Sequence, residues 1–145
     1  MGLVDDLIDK RVFIDTAPFI YYIESHNKYR NFIDNLFQLN AQGKIAFITS
    51  SLTVMEVLVQ PLRLQKLAIA ESYLKILTSS KNLEIIDLTI GISKKAAEIR
   101  AKYNIKTPDA IQLATAIESQ SDYFLSNDVK LEITEITSII IDKVS

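Results

Sequence analysis

Short runs rich in β-branched and aromatic residues alternate along this chain with longer stretches that mix polar and apolar positions. RVFID (11–15), KIAFITS (44–50), LEIID (83–87), DYFLS (122–126) and SIIID (138–142) predict five strands. None keeps a strict period of two, the pattern of strands covered on both faces. Helical segments are predicted near 17–24, 28–41, 52–60, 62–79, 90–103 and 108–119. In the fifth, Ile92, Ala96, Ile99 and Tyr103 recur at helical spacing and make one apolar face. Strand–helix alternation implies right-handed crossovers between parallel strands. The expected fold is α/β: a three-layer α/β/α sandwich with a central, mainly parallel five-stranded sheet, built as one domain over residues 1–145.

Composition narrows the chemistry. A chain of 145 residues that is 48% hydrophobic, with three Gly and three Pro, can bury a substantial core and is not disordered. Without cysteine there are no disulfides, thiol nucleophiles or thiolate metal sites. The single histidine, His26, lies in the polar stretch SHNK and is expected to be exposed, which leaves little room for a zinc site. MGLVDDLIDKR lacks the apolar run of a signal peptide, and Asp6 stands where a myristoylation signal needs Ser or Thr. No apolar stretch reaches the roughly 18 residues of a membrane span, so a cytoplasmic protein with no membrane contact is expected.

Four acids stand at the edges of predicted elements: Asp15, Glu56, Asp109 and Asp128. Intervals of 41, 53 and 19 residues mean that only a fold can group them. Ligands of parallel sheets bind outside the carboxyl ends of the strands, and all four can face that edge. Carboxylates so close cannot all stay ionised without cations. A divalent metal held by oxygen, Mg²⁺ or Mn²⁺, is the expectation.

Three of the acids also have local readings. Thr53-x-x-Glu56 has the form of a capping box. Thr107 reads as an N-cap and Pro108 as the first helical residue, leaving Asp109 in the first turn, where an acid suits the helix dipole. Asp128, in Ser126-Asn127-Asp128, reads as a turn acid. Asp15 has the weakest local alternative.

FIDTAPFIYYIE, ITSSLTVMEVL, TPDAIQLATAI and FLSND together resemble the motifs of the PIN-domain family, in particular VapC-type toxin ribonucleases. TPDAIQLATAI is the most specific match, and the motifs span residues 11–128. The resemblance implies that Asp15, Glu56, Asp109 and Asp128 bind Mg²⁺ or Mn²⁺ and that Ser126 assists by hydrogen bonding. It departs from the family at Ala17, where many members carry Asn or Ser.

The net charge of −2 is not that of a general nucleic-acid binder. Residues 91–106, however, hold Lys94, Lys95, Arg100, Lys102 and Lys106 against Glu98 alone, a local charge of +4. Lys94, Glu98 and Lys102 lie at i, i+4 spacing, as on a solvated face. Arg100 and Lys106 are the candidates for guiding an RNA backbone. Phe13, Phe19, Tyr21, Tyr22, Tyr29, Phe32 and Phe37 are expected to be mostly core, and the resemblance implies an antitoxin bound near these first helices. The expected protein is a metal-dependent endoribonuclease that cleaves RNA, a toxin with an antitoxin partner and a homodimer. The rivals are a PIN nuclease of RNA processing or DNA without an antitoxin, and a catalytically silent module that binds RNA or protein.

Overall fold

The computed structural model describes residues 2–144. Its frame is five strands, β1 (Arg11–Ile14), β2 (Ala46–Ser50), β3 (Leu83–Ile86), β4 (Tyr123–Ser126) and β5 (Thr137–Ile140), in the order β3-β2-β1-β4-β5. Every neighbouring pair is parallel. The chain builds outward from β1 to β3, then crosses back to lay β4 on the other side of β1. The order therefore reverses between β1 and β4, where open parallel sheets form their ligand crevice.

The three-layer α/β/α expectation holds. Among the described residues the eight α-helices are α1 (Leu3–Asp6), α2 (Thr16–Ile23), α3 (Arg30–Ala41), α4 (Ser51–Arg63), α5 (Leu67–Ser79), α6 (Ile90–Tyr103), α7 (Thr107–Glu118) and α8 (Ile141–Val144). Successive strand residues face opposite cores. Val12, Ile14, Phe47, Leu125 and Ile139 pack with the helices that precede β3. Phe13, Ile48 and Phe124 pack with α6 and α7. Phe13 and Phe124 stack at 5.4 Å with planes 9° apart, which ties the two central strands together under the site.

Of the early aromatics, Phe13, Phe19, Tyr29, Phe32 and Phe37 are buried, as expected, and Tyr22 is exposed. The strands are shorter than predicted. Ile141 and Asp142, read as the end of a strand, begin the short helix α8. The four-residue α1 carries no periodic signal and was not anticipated.

The break between α4 and α5 also differs. The sequence places it at Pro61, yet α4 runs through that proline to Arg63. It stops because Gln65 adopts a left-handed backbone, φ 58°. Lys66 N–H then bonds Pro61 C=O (2.8 Å) and Gln65 N–H bonds Leu62 C=O (3.0 Å), the paired closure that usually recruits glycine. A left-handed glutamine costs about 1 kcal/mol, so Gln65→Gly is expected to raise unfolding stability by about 0.5–1 kcal/mol in urea titration. No gain would mean that the Gln65 side chain compensates through its own contacts.

Candidate functional site

Asp15 follows β1 directly and caps the N-terminus of α2, its Oδ1 accepting the Thr16 N–H at 2.9 Å. Its own N–H bonds Leu125 C=O (2.9 Å), extending the β1–β4 ladder into the switch point. Ser126, the last residue of β4 and 1% exposed, donates its hydroxyl to Asp15 Oδ2 at 2.9 Å. From α7, Gln112 Nε2 donates to Asp15 Oδ1 at 3.2 Å. Three donors thus aim one carboxylate. Burial pushes the Asp15 carboxyl up, the bonds from Thr16, Ser126 and Gln112 oppose this, and the charge of Glu56 adds to the rise.

Glu56 is brought to the same edge, but not as a cap. Because α4 starts at Ser51 with Ser50 as its N-cap, Glu56 falls in the second turn, which overturns the capping-box reading. Thr53 is buried, and its Oγ1 lies 2.8 Å from Thr49 Oγ1 and 2.7 Å from Gln112 Nε2. Glu56 Oε1 instead accepts the Thr16 hydroxyl at 2.6 Å, across 40 residues of sequence. The hydroxyl missing at Ala17 is present one residue earlier.

Asp109 lies in the first turn of α7 as expected, although the N-cap is Lys106 rather than Thr107. Burial raises its carboxyl, and the charges of Asp15 and then Asp128 push it further. Lys106 and Lys130 pull it back. Asp128 caps a 3₁₀ turn (Val129–Leu131), accepting Lys130 N–H at 2.9 Å, so its turn role coexists with its closeness to Asp109.

The fold therefore gathers all four acids at one carboxyl edge. Among the described residues no group of three or more His, Asp or Glu side chains is close enough to hold a metal ion as it stands. All donors nonetheless are oxygens, and two of the carboxyls are raised, by burial first and then by their acidic neighbours, a condition a hard divalent cation relieves.

Arg100 is an exposed residue whose Nε donates to Ile105 C=O (3.0 Å), bracing the link into α7. Lys106 is exposed beside Asp109. Glu98 pairs with Lys95 at 3.4 Å, one turn away, and Lys102 reaches Glu135 at 3.4 Å. His26 is exposed as predicted.

Sequence reasoning missed Gln112, 1% exposed, which also accepts the Ser50 hydroxyl. Its signal was the i+3 spacing from Asp109, which sets both on one helix face. Thr16 and Lys130 were missed too. An apolar groove lined by Ile20, Ile23, Val57, Pro61, Leu64 and Tyr73 runs between α2 and the α4–α5 pair, with Glu56 on its wall.

Such a sheet is that of an open α/β domain, and its acids stand at the carboxyl edge, where domains of this kind bind ligands. The family model of the PIN domain matches residues 12–136, and the chain belongs to that family. No curated protein matches its sequence. Among solved structures, VapBC2 from Rickettsia felis bound to a promoter DNA fragment is similar at 20% identity and TM-score 0.71, over 90% of this chain and 98% of that one. VapC20 of Mycobacterium tuberculosis, a toxin that cleaves the sarcin–ricin loop, is similar at 15% identity and TM-score 0.66, over 87% and 98%. DNA-bound VapBC from Salmonella typhimurium is similar at 21% identity and TM-score 0.65, over 91% and 98%. These likenesses are of fold. Among the described residues no helix is long and apolar enough to cross a membrane.

Proposed function

We propose that this chain is a metal-dependent endoribonuclease that hydrolyses RNA phosphodiester bonds, the toxin of a toxin–antitoxin pair. The observation that carries the reading is geometric: Asp15 at the end of β1 takes hydrogen bonds from Ser126 of β4 and Gln112 of α7, and its neighbour Thr16 holds Glu56 of α4. The solved VapBC and VapC20 structures of like fold support it.

Asp15, Glu56, Asp109 and Asp128 would hold Mg²⁺ or Mn²⁺, which supplies a polarised phosphodiester and a more acidic bound water. Ser126, Gln112 and the Thr16 N–H keep Asp15 aimed at the edge. Thr16 holds Glu56 beside it. Lys106 and Lys130 offer exposed positive charge next to Asp109, where an RNA backbone would approach. The groove beside Glu56 suits an apolar segment of an antitoxin. The exposed Met55, Val59 and Leu62 on α4 suit a second copy of the chain.

Purified protein should cleave single-stranded RNA with Mg²⁺ or Mn²⁺ and stop on addition of EDTA. Cleavage that persists in EDTA would overturn the metal role. Binding of RNA without cleavage would favour the silent module. An adjacent reading frame for a small DNA-binding protein supports the pair, whereas a solitary gene favours a PIN nuclease of another process.

A further inference from the structure

Asn127 stands between Ser126 and Asp128, and its side chain belongs to a polar cluster outside the acids. Its Nδ2 donates to the hydroxyls of Tyr21 (3.0 Å) and Tyr29 (3.1 Å), and its Oδ1 accepts Asp142 N–H (2.8 Å). The Tyr29 hydroxyl donates in turn to Asp142 Oδ1 at 2.5 Å, and Lys28 Nζ lies 3.3 Å from the same oxygen. The rings of Tyr21 and Tyr29 stack at 4.4 Å, with His26 5.2 and 5.0 Å from them. Helix α2, the 3₁₀ turn Asn27–Tyr29, the link after β4 and α8 thus converge on one amide.

An ordinary turn asparagine bonds its own backbone. Asn127 does otherwise, with both amide protons and its carbonyl committed to other segments. The neighbouring bonds, Asp128 N–H to Ser126 Oγ (3.2 Å) and Lys130 N–H to Asp128 Oδ1 (2.9 Å), are local and cannot anchor the turn to the rest of the fold. Two flanking residues with opposite tasks, one buried on Asp15 and one facing Asp109, need a fixed backbone between them.

We propose that Asn127 is a positioning residue: held by Tyr21, Tyr29 and the Asp142 amide, it keeps Ser126 on Asp15 and Asp128 beside Asp109. Helix α8 thereby becomes part of the site's scaffold. The consequence for catalysis rests on the nuclease reading, but the clamp itself does not.

Two variants test it. Tyr29→Phe removes one hydroxyl and keeps the ring stack, and Asn127→Ala removes every bond of the amide. Hydrogen exchange is read by NMR in the metal-free protein, where neither cation nor RNA is needed. Exchange at the Asp128 and Lys130 amides should rise about tenfold in Asn127→Ala and less in Tyr29→Phe, with α6 unchanged. The Mn²⁺ concentration for half-maximal thermal stabilisation should rise about 10-fold in Asn127→Ala, and RNA cleavage should lose kcat at constant KM. Unchanged exchange at those two amides would overturn the proposal. So would an equal rise across the whole chain, which would mark a general stabilising cluster. A wild-type protein that Mn²⁺ fails to stabilise would count against the metal reading, while exchange at Asp128 and Lys130 would still decide the clamp.

Discussion

Asp15→Asn is expected to cut RNA cleavage about 1,000-fold, a loss of ~4 kcal/mol of transition-state stabilisation, and to leave the fold intact. The amide fits the same pocket: Oδ1 still accepts Thr16 N–H and Gln112 Nε2, and Nδ2 can donate to the Ser126 hydroxyl. What disappears is a half-buried charge near Glu56. The sign with pH follows from the raised carboxyl of Asp15. The folded state holds its proton at pH values where the unfolded chain has released it. The stability this contributes is complete below the unfolded pKa and is lost as pH rises through the folded one. The Asn variant has no such loss. Metal-free, it should therefore gain on wild type as pH rises from the ordinary Asp range toward neutrality. Adding Mn²⁺ should stabilise wild type and not the variant. Thermal unfolding at several pH values, with and without Mn²⁺, measures both. A variant that melts lower than wild type at neutral pH without metal would show that Asp15 is chiefly a helix cap.

Gln112→Leu should have the larger effect on stability. The substitution keeps roughly the volume but strips a buried hub. The Ser50 hydroxyl loses its acceptor, Thr53 Oγ1 loses a donor, and Asp15 loses one of three. With a cost of roughly 1–3 kcal/mol per buried group left unpaired, a loss of about 3 kcal/mol is expected, most of it from Ser50. Urea unfolding should read that loss directly. Mn²⁺ affinity should fall as well, because Asp15 is left with the Thr16 and Ser126 bonds alone. A loss below about 1 kcal/mol would show that these hydroxyls find other partners.

The sheet was legible because its inner strands β1, β2 and β4 are buried on both faces and all five read as short apolar runs. The placement of Asp15 and Asp109 followed from a strand end and from Pro108. Glu56 was harder. Ser50, Ser51 and Thr53 can each cap a helix, and the pattern cannot say which does. The structure chooses Ser50, and Glu56 moves from a cap to a partner of Thr16. That bond joins residues with no pattern between them. The end of α4 was hidden for another reason: a glutamine fills a position that glycine usually marks. Ile141 and Asp142 continue an apolar run, so nothing local separates the end of β5 from the start of α8.

Helix α7 packs into the core it shares with the sheet and α6 through Ala110, Leu113, Ala114 and Ala116, all without exposure. Three of these four are the smallest side chain with a Cβ, so they act as a spacer gauge between α7 and its neighbours. The same rigid rod carries Asp109 and Gln112. A larger residue at Ala114 or Ala116 would tilt or lift the rod and carry both groups away from Asp15 together. The calibration of the acidic edge is thus partly written in buried methyl groups that carry no charge of their own. Attempts to retune the site would do best to leave those alanines untouched.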